Sequence, residues 1–227
     1  MDDDLPDRVT PDLAARAIAH VGAAPAADPA PATRPADPDV TEARLAHLAE
    51  AWARVVPPAY GDPRLDQLRG DPWWPDDIVD DLVAWADSPT RNVVLIGPVG
   101  SGKTHAAWAM LRRPFGRGLS CAGWAVVDLL DALRPSTPDP LTLSRLRDRD
   151  LLLLDDIGAE RPTDWTADRL YALIHHRWEH RRPIVATANL APADLCEHLG
   201  ARTYSRLIAG ALVIEVQCDR DRRKTAG

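Results

Sequence analysis

Lysine is nearly missing from this chain: of 27 lysines and arginines, only Lys103 and Lys224 are lysine. A compact ammonium kept against that trend marks a place where a planar guanidinium is too broad, such as the inside of a loop wrapped around phosphate. Cysteine is scarce too. Cys121, Cys196 and Cys218 are odd in number and widely spaced, which argues against a disulfide framework and leaves no C-x-x-C pair for zinc, so they read as reduced filler. The aliphatic stretches are too short for a membrane-spanning helix. The opening Met1-Asp2-Asp3-Asp4 carries the wrong charge for a secretory or mitochondrial leader, so the expected location is cytoplasmic.

Basic excess is lacking as well, and a net charge of −7 speaks against the whole protein acting as a basic clamp on nucleic acid. Local clusters remain at Arg145, Arg147 and Arg149 and at Arg220, Arg222, Arg223 and Lys224. Each fits a phosphate patch or a solvated face equally well. His175, His176 and His180 could put two imidazoles on one helical turn, but no carboxylate or cysteine stands at matching spacing. An exposed helix face is the plainer reading there than a metal site.

What is present is sharper. Gly97-Pro98-Val99-Gly100-Ser101-Gly102-Lys103-Thr104 fits the phosphate-binding pattern G-x-x-x-x-G-K-[ST] at every fixed position. The glycines let the backbone turn tightly so that successive N–H groups face the phosphates, and the helix that follows aims its positive end at the same anion. Lys103 is then expected to reach the β- and γ-phosphates of a nucleotide and Thr104 to hold Mg²⁺. The flanks agree, since Arg91–Ile96 reads as a buried strand and Thr104–Arg112 as a helix.

Further along, Leu151-Leu152-Leu153-Leu154 runs into Asp155-Asp156, a buried strand that delivers two acids to the ligand edge of a sheet. In this Walker B pattern Asp155 is expected to support Mg²⁺ and Asp156 to polarise the attacking water. Ile184–Thr187 reads as a strand ending in Ala188-Asn189, which places an amide where it could orient that water. Arg206, in Tyr204-Ser205-Arg206-Leu207, is a candidate arginine finger for a neighbouring subunit's nucleotide. No N-K-x-D guanine reader exists, because neither lysine follows asparagine at the required place. A small-molecule kinase is disfavoured because the span after the second helix is too short and proline-broken for a lid.

Three segments are expected. Residues 1–40, rich in Ala, Pro and Asp, form a disordered or partner-binding tail with one short helical candidate at Pro11–Val21. Residues 41–90 form a helical preface, with one helix capped by Thr41 and running to Arg54 and a second at Asp76–Ala86. Residues 91–227 form the ATPase core. Its further strands are placed at Trp124–Val127 and Ala211–Val216, with helices at Asp128–Leu133 and Thr166–Arg181 and a Pro/Thr-rich loop between. Strands alternating with helices give an α/β fold with a parallel sheet covered on both faces. The eight tryptophans, Trp73-Trp74 among them, read chiefly as packing between preface and core, with base stacking the other option.

Taken together these residues resemble the DnaC/IstB-like branch of the AAA+ ATPases. The resemblance runs from about Pro57 to Arg223 and includes the P-loop through His105, Asp155-Asp156-Ile157-Gly158-Ala159-Glu160-Arg161, Leu170-Tyr171-Ala172-Leu173-Ile174, Ala186-Thr187-Ala188-Asn189-Leu190 and Ser205-Arg206-Leu207. It implies a P-loop NTPase with a five-stranded parallel sheet flanked by helices and an ATP site formed by residues 97–105. Asn189 would be the sensor 1 residue and Arg206 part of the arginine-finger motif. The implied activity is slow, partner-stimulated ATP hydrolysis that loads a hexameric replicative helicase onto single-stranded DNA, with self-assembly through Arg206. A transposition helper, or an interaction protein that holds ATP with little turnover, is the alternative. The resemblance allows glutamate or aspartate at position 156, and the shorter aspartate suits slow hydrolysis and a switch. A zinc-binding amino-terminal module is not expected, since no cysteine precedes Cys121. The helicase-gripping element is expected at Thr41–Arg54 or the short helix before it, and the adenine pocket near Pro57–Tyr60.

Overall fold

A computed structural model describes residues 42–134 and 140–217. The expected tail 1–40, its helix Pro11–Val21, the Thr41 cap, Cys218 and the basic cluster Arg220–Lys224 lie outside those residues. Five strands form one parallel sheet: β1 (Val93–Ile96), β2 (Cys121–Ala125), β3 (Leu151–Ile157), β4 (Ile184–Ala188) and β5 (Leu212–Glu215), in the order β2-β3-β4-β1-β5. The helices are α1 (Glu42–Ala53), α2 (Asp76–Asp87), α3 (Lys103–Gly116), α4 (Val126–Ala132), α5 (Pro140–Asp148), α6 (Asp164–Glu179), α7 (Pro192–Leu199) and α8 (Ala201–Ile208), with short 3-10 turns at Pro58–Tyr60 and Leu65–Leu68.

Side chains alternate across a strand, and the two faces of the sheet divide accordingly. Val93, Leu95, Leu151 and Leu153 pack with the buried parts of α1, α2 and α3, while Val94, Ile96, Leu152 and Leu154 pack with α4, α6, α7 and α8. Strands covered on both faces need continuous apolar sequence, which is why these read as unbroken runs. Tryptophan builds the first face. Trp52 meets Trp108 edge-on with centroids 6.1 Å apart, and buried Trp74 donates its indole N–H to the Ser101 carbonyl at 3.0 Å. The segment before residue 91 is therefore packed onto the loop that follows β1.

Several local expectations shift. The second strand is Cys121–Ala125 rather than Trp124–Val127, because Cys121 pairs in register with Leu151 and Val126 already begins α4. Gly123 fixes that placement: a Cβ there would stand 2.2 Å from the Trp108 ring. Gly123→Ala is expected to lower stability by about 1–3 kcal/mol through overpacking, readable as a lower thermal midpoint. The third strand continues to Ile157, α3 passes through Pro114 to Gly116, and the Pro/Thr-rich region contains α5. Helices α7 and α8 fill the connection from β4 to β5, for which the sequence reading gave no element.

Arg177 ties two of these pieces together. It is fully buried on α6 and donates to the carbonyls of Leu146, Arg149 and Pro183 at 2.8 Å each and of Asp150 at 3.2 Å. The carbonyls at the end of α5 and the backbone leading into β3 and β4 thus meet one cation, which suits the negative end of a helix. Burial pushes its pKa down to about 9, so it remains charged at neutral pH.

Candidate nucleotide site

At the carboxyl end of β1 the chain passes close to β5. A Cβ on Gly97 would lie 2.4 Å from the Val216 carbonyl oxygen, so only glycine fits where the loop begins. Gly100 and Gly102 then take left-handed backbone, with φ of 83° and 88°, and α3 starts at Lys103. Ser101 is fully buried, with Trp74 bonded to its carbonyl, so the preface helps hold the loop.

Lys103 is nearly buried and donates to the Pro98 carbonyl at 2.8 Å, to Asn189 Oδ1 at 2.9 Å and to Ser101 Oγ at 3.3 Å. Asn189 donates in turn through Nδ2 to Asp156 Oδ1. One amide therefore joins the loop ammonium to the second acid of β3. The first acid has its own support: Asp155 Oδ1 accepts from Thr104 Oγ1 at 2.9 Å and from Thr187 Oγ1 at 2.7 Å, and the Asp156 N–H donates to Thr187 Oγ1 at 2.8 Å. Burial raises the Asp155 carboxyl above its usual range, against the opposing pull of the Thr187 and Thr104 hydroxyls.

These groups suit a nucleotide triphosphate with a divalent cation. The loop offers a bare backbone at Gly97, an ammonium held by neutral oxygens, and a helix N-terminus behind it. Thr104 and Asp155 supply adjacent hard oxygen donors, which would hold Mg²⁺ directly or through water. Such an ion would offset charge on the phosphates.

The structure brings residues 97–104, Asp155, Asp156 and Asn189 to one edge of the sheet, at the ends of β1, β3 and β4. His105 faces the preface, where its Nε2 lies 3.1 Å from Gln67 Oε1. Tyr60, in the expected adenine region, stands 6.5 Å from Trp108 ring to ring. Arg206 is not at this edge. Its guanidinium lies over Tyr171 and Trp178 on α6, with Nε donating to His175 Nδ1 at 2.8 Å. His176 and His180 stack on each other at 4.0 Å, and among the described residues no three His, Cys, Asp or Glu side chains could hold a metal.

Two residues named in the sequence only as parts of longer stretches have a supporting role. In the sequence Thr187 reads as a strand end, although a hydroxyl one strand from a paired acid is a usable signal. Glu160 is buried, accepts the Gly158 N–H at 2.8 Å through Oε2 and meets His198 Nε2 at 2.8 Å through Oε1, tying the turn after Asp156 to α7. Asp156 itself has φ of 61°, which aspartate tolerates better than most side chains. Among the cysteines, burial pushes the Cys121 thiol up to about 12 and raises Cys196. A Cys218→Ser chain is therefore expected to stay unmodified by a thiol reagent at neutral pH until denatured, as counted by absorbance.

The fold is that of the AAA+ P-loop proteins, and these groups suit a bound nucleotide. More narrowly, residues 75–226 match the family described as IstB-like ATP binding protein, and the chain belongs to it. It is 34% identical over 130 residues to Rv3427c, an ATP-binding protein in an insertion sequence of Mycobacterium tuberculosis, covering 55% of this chain and 51% of that protein. It is 25% identical over 129 residues to the replicative helicase loader DnaC of Escherichia coli, covering 55% of this chain and 53% of that one. The crystal structure of the DnaC helicase loader superposes with a TM-score of 0.64 at 22% identity, over 70% of this chain and 99% of that chain. The chain thus spans about half the length of the curated relatives it matches. No helix among the described residues is long and apolar enough to cross a membrane.

Proposed function

We propose that this protein is a Mg²⁺-dependent ATPase that loads a hexameric replicative helicase onto single-stranded DNA in the cytoplasm, with hydrolysis as the timer for partner release. The observation that carries the switch is the chain of contacts from Lys103 through Asn189 to Asp156. A γ-phosphate competing for Lys103 would free or redirect the amide beside the acid, so phosphate occupancy is felt at the water-activating carboxylate. In this reading residues 97–105 bind ATP, Thr104 and Asp155 hold the ion, Asp156 activates water, and Asn189 orients it. Residues 91–217 and the basic tail act as the motor, residues 41–90 as its brace, and the helix up to Arg54 or the tail before it as the helicase grip.

Arg206 acts on a neighbour. The Asn92 side chain, just before β1, bonds the Leu207 carbonyl and the Ile184 N–H at 2.8 Å each, so α8 ends at the amino edge of the sheet. The P-loop leaves the opposite edge, roughly 13 Å away along a four-residue strand. Arg206→Ala is expected to spare ATP binding and remove stimulated turnover, measured as phosphate release against bound nucleotide.

A cleft of about 700 Å³ beside the turn after β3 is the candidate DNA contact. Its lining includes Arg161 and Trp165 together with Asp131 and Glu160, and the Arg134 guanidinium, paired with Asp131 at 2.9 Å, lies 6.0 Å over the Trp165 ring. Arg161 and the Trp165 ring together suit a phosphate and its stacked base. Trp165→Ala is expected to weaken single-strand affinity about tenfold or more in a fluorescence-anisotropy titration.

The match to an insertion-sequence protein favours a second reading, a transposition helper with the same ATP site. Affinity capture with Asp156→Asn, which holds ATP, against Lys103→Ala separates them. Recovery of a replicative helicase with the first variant alone supports loading, and recovery of a transposase on DNA replaces it with the helper reading. Tight ATP binding without any product in a single turnover would leave only a scaffold.

A further inference from the structure

Tyr171, His175 and Trp178 stand at i, i+4 and i+7 on α6, and their rings form a stack. Tyr171 and His175 are 5.2 Å apart at 15°, and His175 and Trp178 are 6.0 Å apart at 22°. The Arg206 guanidinium covers two of them, 5.1 Å from the Tyr171 centroid and 5.4 Å from that of Trp178. Its Nε is fixed by His175 Nδ1 at 2.8 Å and its Nη1 by the Arg202 carbonyl at 3.1 Å. Among the described residues no carboxylate is paired with it. Trp178 keeps 47% of its surface exposed.

This is an unusual placement for a surface arginine. Such a side chain ordinarily keeps its rotamer freedom or finds an acid, and here it is held over two rings with no acid beside it. A guanidinium ordered in advance loses less freedom when it meets an anion, and the two rings and two hydrogen bonds hold it without neutralising it. Arg206 lies towards the amino edge of its own sheet, so the anion it faces is not the one bound by its own P-loop.

We infer that Tyr171, His175 and Trp178 are positioning residues that hold Arg206 for the nucleotide phosphates of a second copy of this chain. The inference rests on the trans role given to Arg206 above. It extends the contact surface from one residue to an aromatic stripe of α6, with the exposed Trp178 edge abutting the partner beside its nucleotide. The occupant is set by charge complementarity: a polyanionic ligand in the partner opposite an arginine that has no acid of its own.

The test compares Trp178→Ala and Tyr171→Leu with the ring-keeping Trp178→Phe and Tyr171→Phe, and with Arg206→Ala, in the full chain. Sedimentation with ATP reads assembly, and steady-state turnover separates kcat from KM. The expected result is that loss of either ring lowers kcat roughly tenfold and weakens ATP-dependent assembly, with KM unchanged, and that phenylalanine restores both. If Arg206→Ala abolishes stimulated turnover while Trp178→Ala and Tyr171→Leu keep it within about twofold, the platform is overturned and the trans role stands. Equal losses in the alanine or leucine variants and in their phenylalanine counterparts would overturn it too. If Arg206→Ala leaves turnover and assembly intact, the trans role fails and the platform falls with it.

Discussion

Lys103→Ala is expected to weaken ATP binding by about two orders of magnitude or more, below detection in an ordinary calorimetric titration. Removing one member of a nearly buried charge pair typically costs about 2–5 kcal/mol, and each 1.4 kcal/mol is about tenfold in affinity. Position 103 concentrates that effect. Its ammonium already sits against Pro98, Ser101 and Asn189, so a phosphate meets a cation fixed in place rather than one that must be ordered. Lys103→Arg is expected to fail nearly as badly, because a planar guanidinium is broader than the ammonium that Pro98, Ser101 and Asn189 surround. The folded state should survive both changes, with far-ultraviolet circular dichroism unchanged.

Arg177→Met is expected to act on the fold instead. The substitution keeps much of the buried volume and removes the donors that meet the carbonyls of Leu146, Arg149, Asp150 and Pro183. Buried acceptors left without a donor cost about 1–3 kcal/mol each, so a loss of at least about 3 kcal/mol follows even if water reaches some of them. For a chain of this size that corresponds to a thermal midpoint lower by roughly 6–12 °C. The damage should centre on the end of α5 and the entries to β3 and β4. Hydrogen exchange would show faster exchange there first, whereas a general loss of packing would spread it through both faces of the sheet.

Most of the framework was legible because it depends on period and spacing. Leu151–Leu154 ends in two acids, and Val93–Ile96 leads straight into a loop whose glycines are fixed by position, so strand, edge and acids follow from the sequence alone. Arg177 was not legible. It reads as one more charged residue on an amphipathic helix, and its acceptors are backbone atoms from positions 146–150 and 183 that no side-chain pattern announces. The second strand slipped because Trp124-Ala125-Val126-Val127 is apolar enough for either element. What decides it is the fit of Trp108 against Gly123, a contact between distant parts of the chain. Helices α7 and α8 did carry local signals, with Pro192 in the first turn of one and Gly200 between them. The pairing of Arg206 with an aromatic stack depends on how α8 packs on α6, and spacing within either helix cannot reveal it.

If the proposed nucleotide site is completed by a neighbour, two inactive variants should restore each other when mixed. Arg206→Ala retains the loop and both acids, while Asp156→Asn retains the arginine, so a mixed contact reunites one intact site with one intact finger. Each variant alone should release phosphate at background rate. An equimolar mixture should recover roughly a quarter of the unsubstituted rate for random head-to-tail contacts, rising with protein concentration. A mixture no faster than the sum of its parts, at concentrations where the unsubstituted chain turns over, would mean that Arg206 does not complete a neighbour's site.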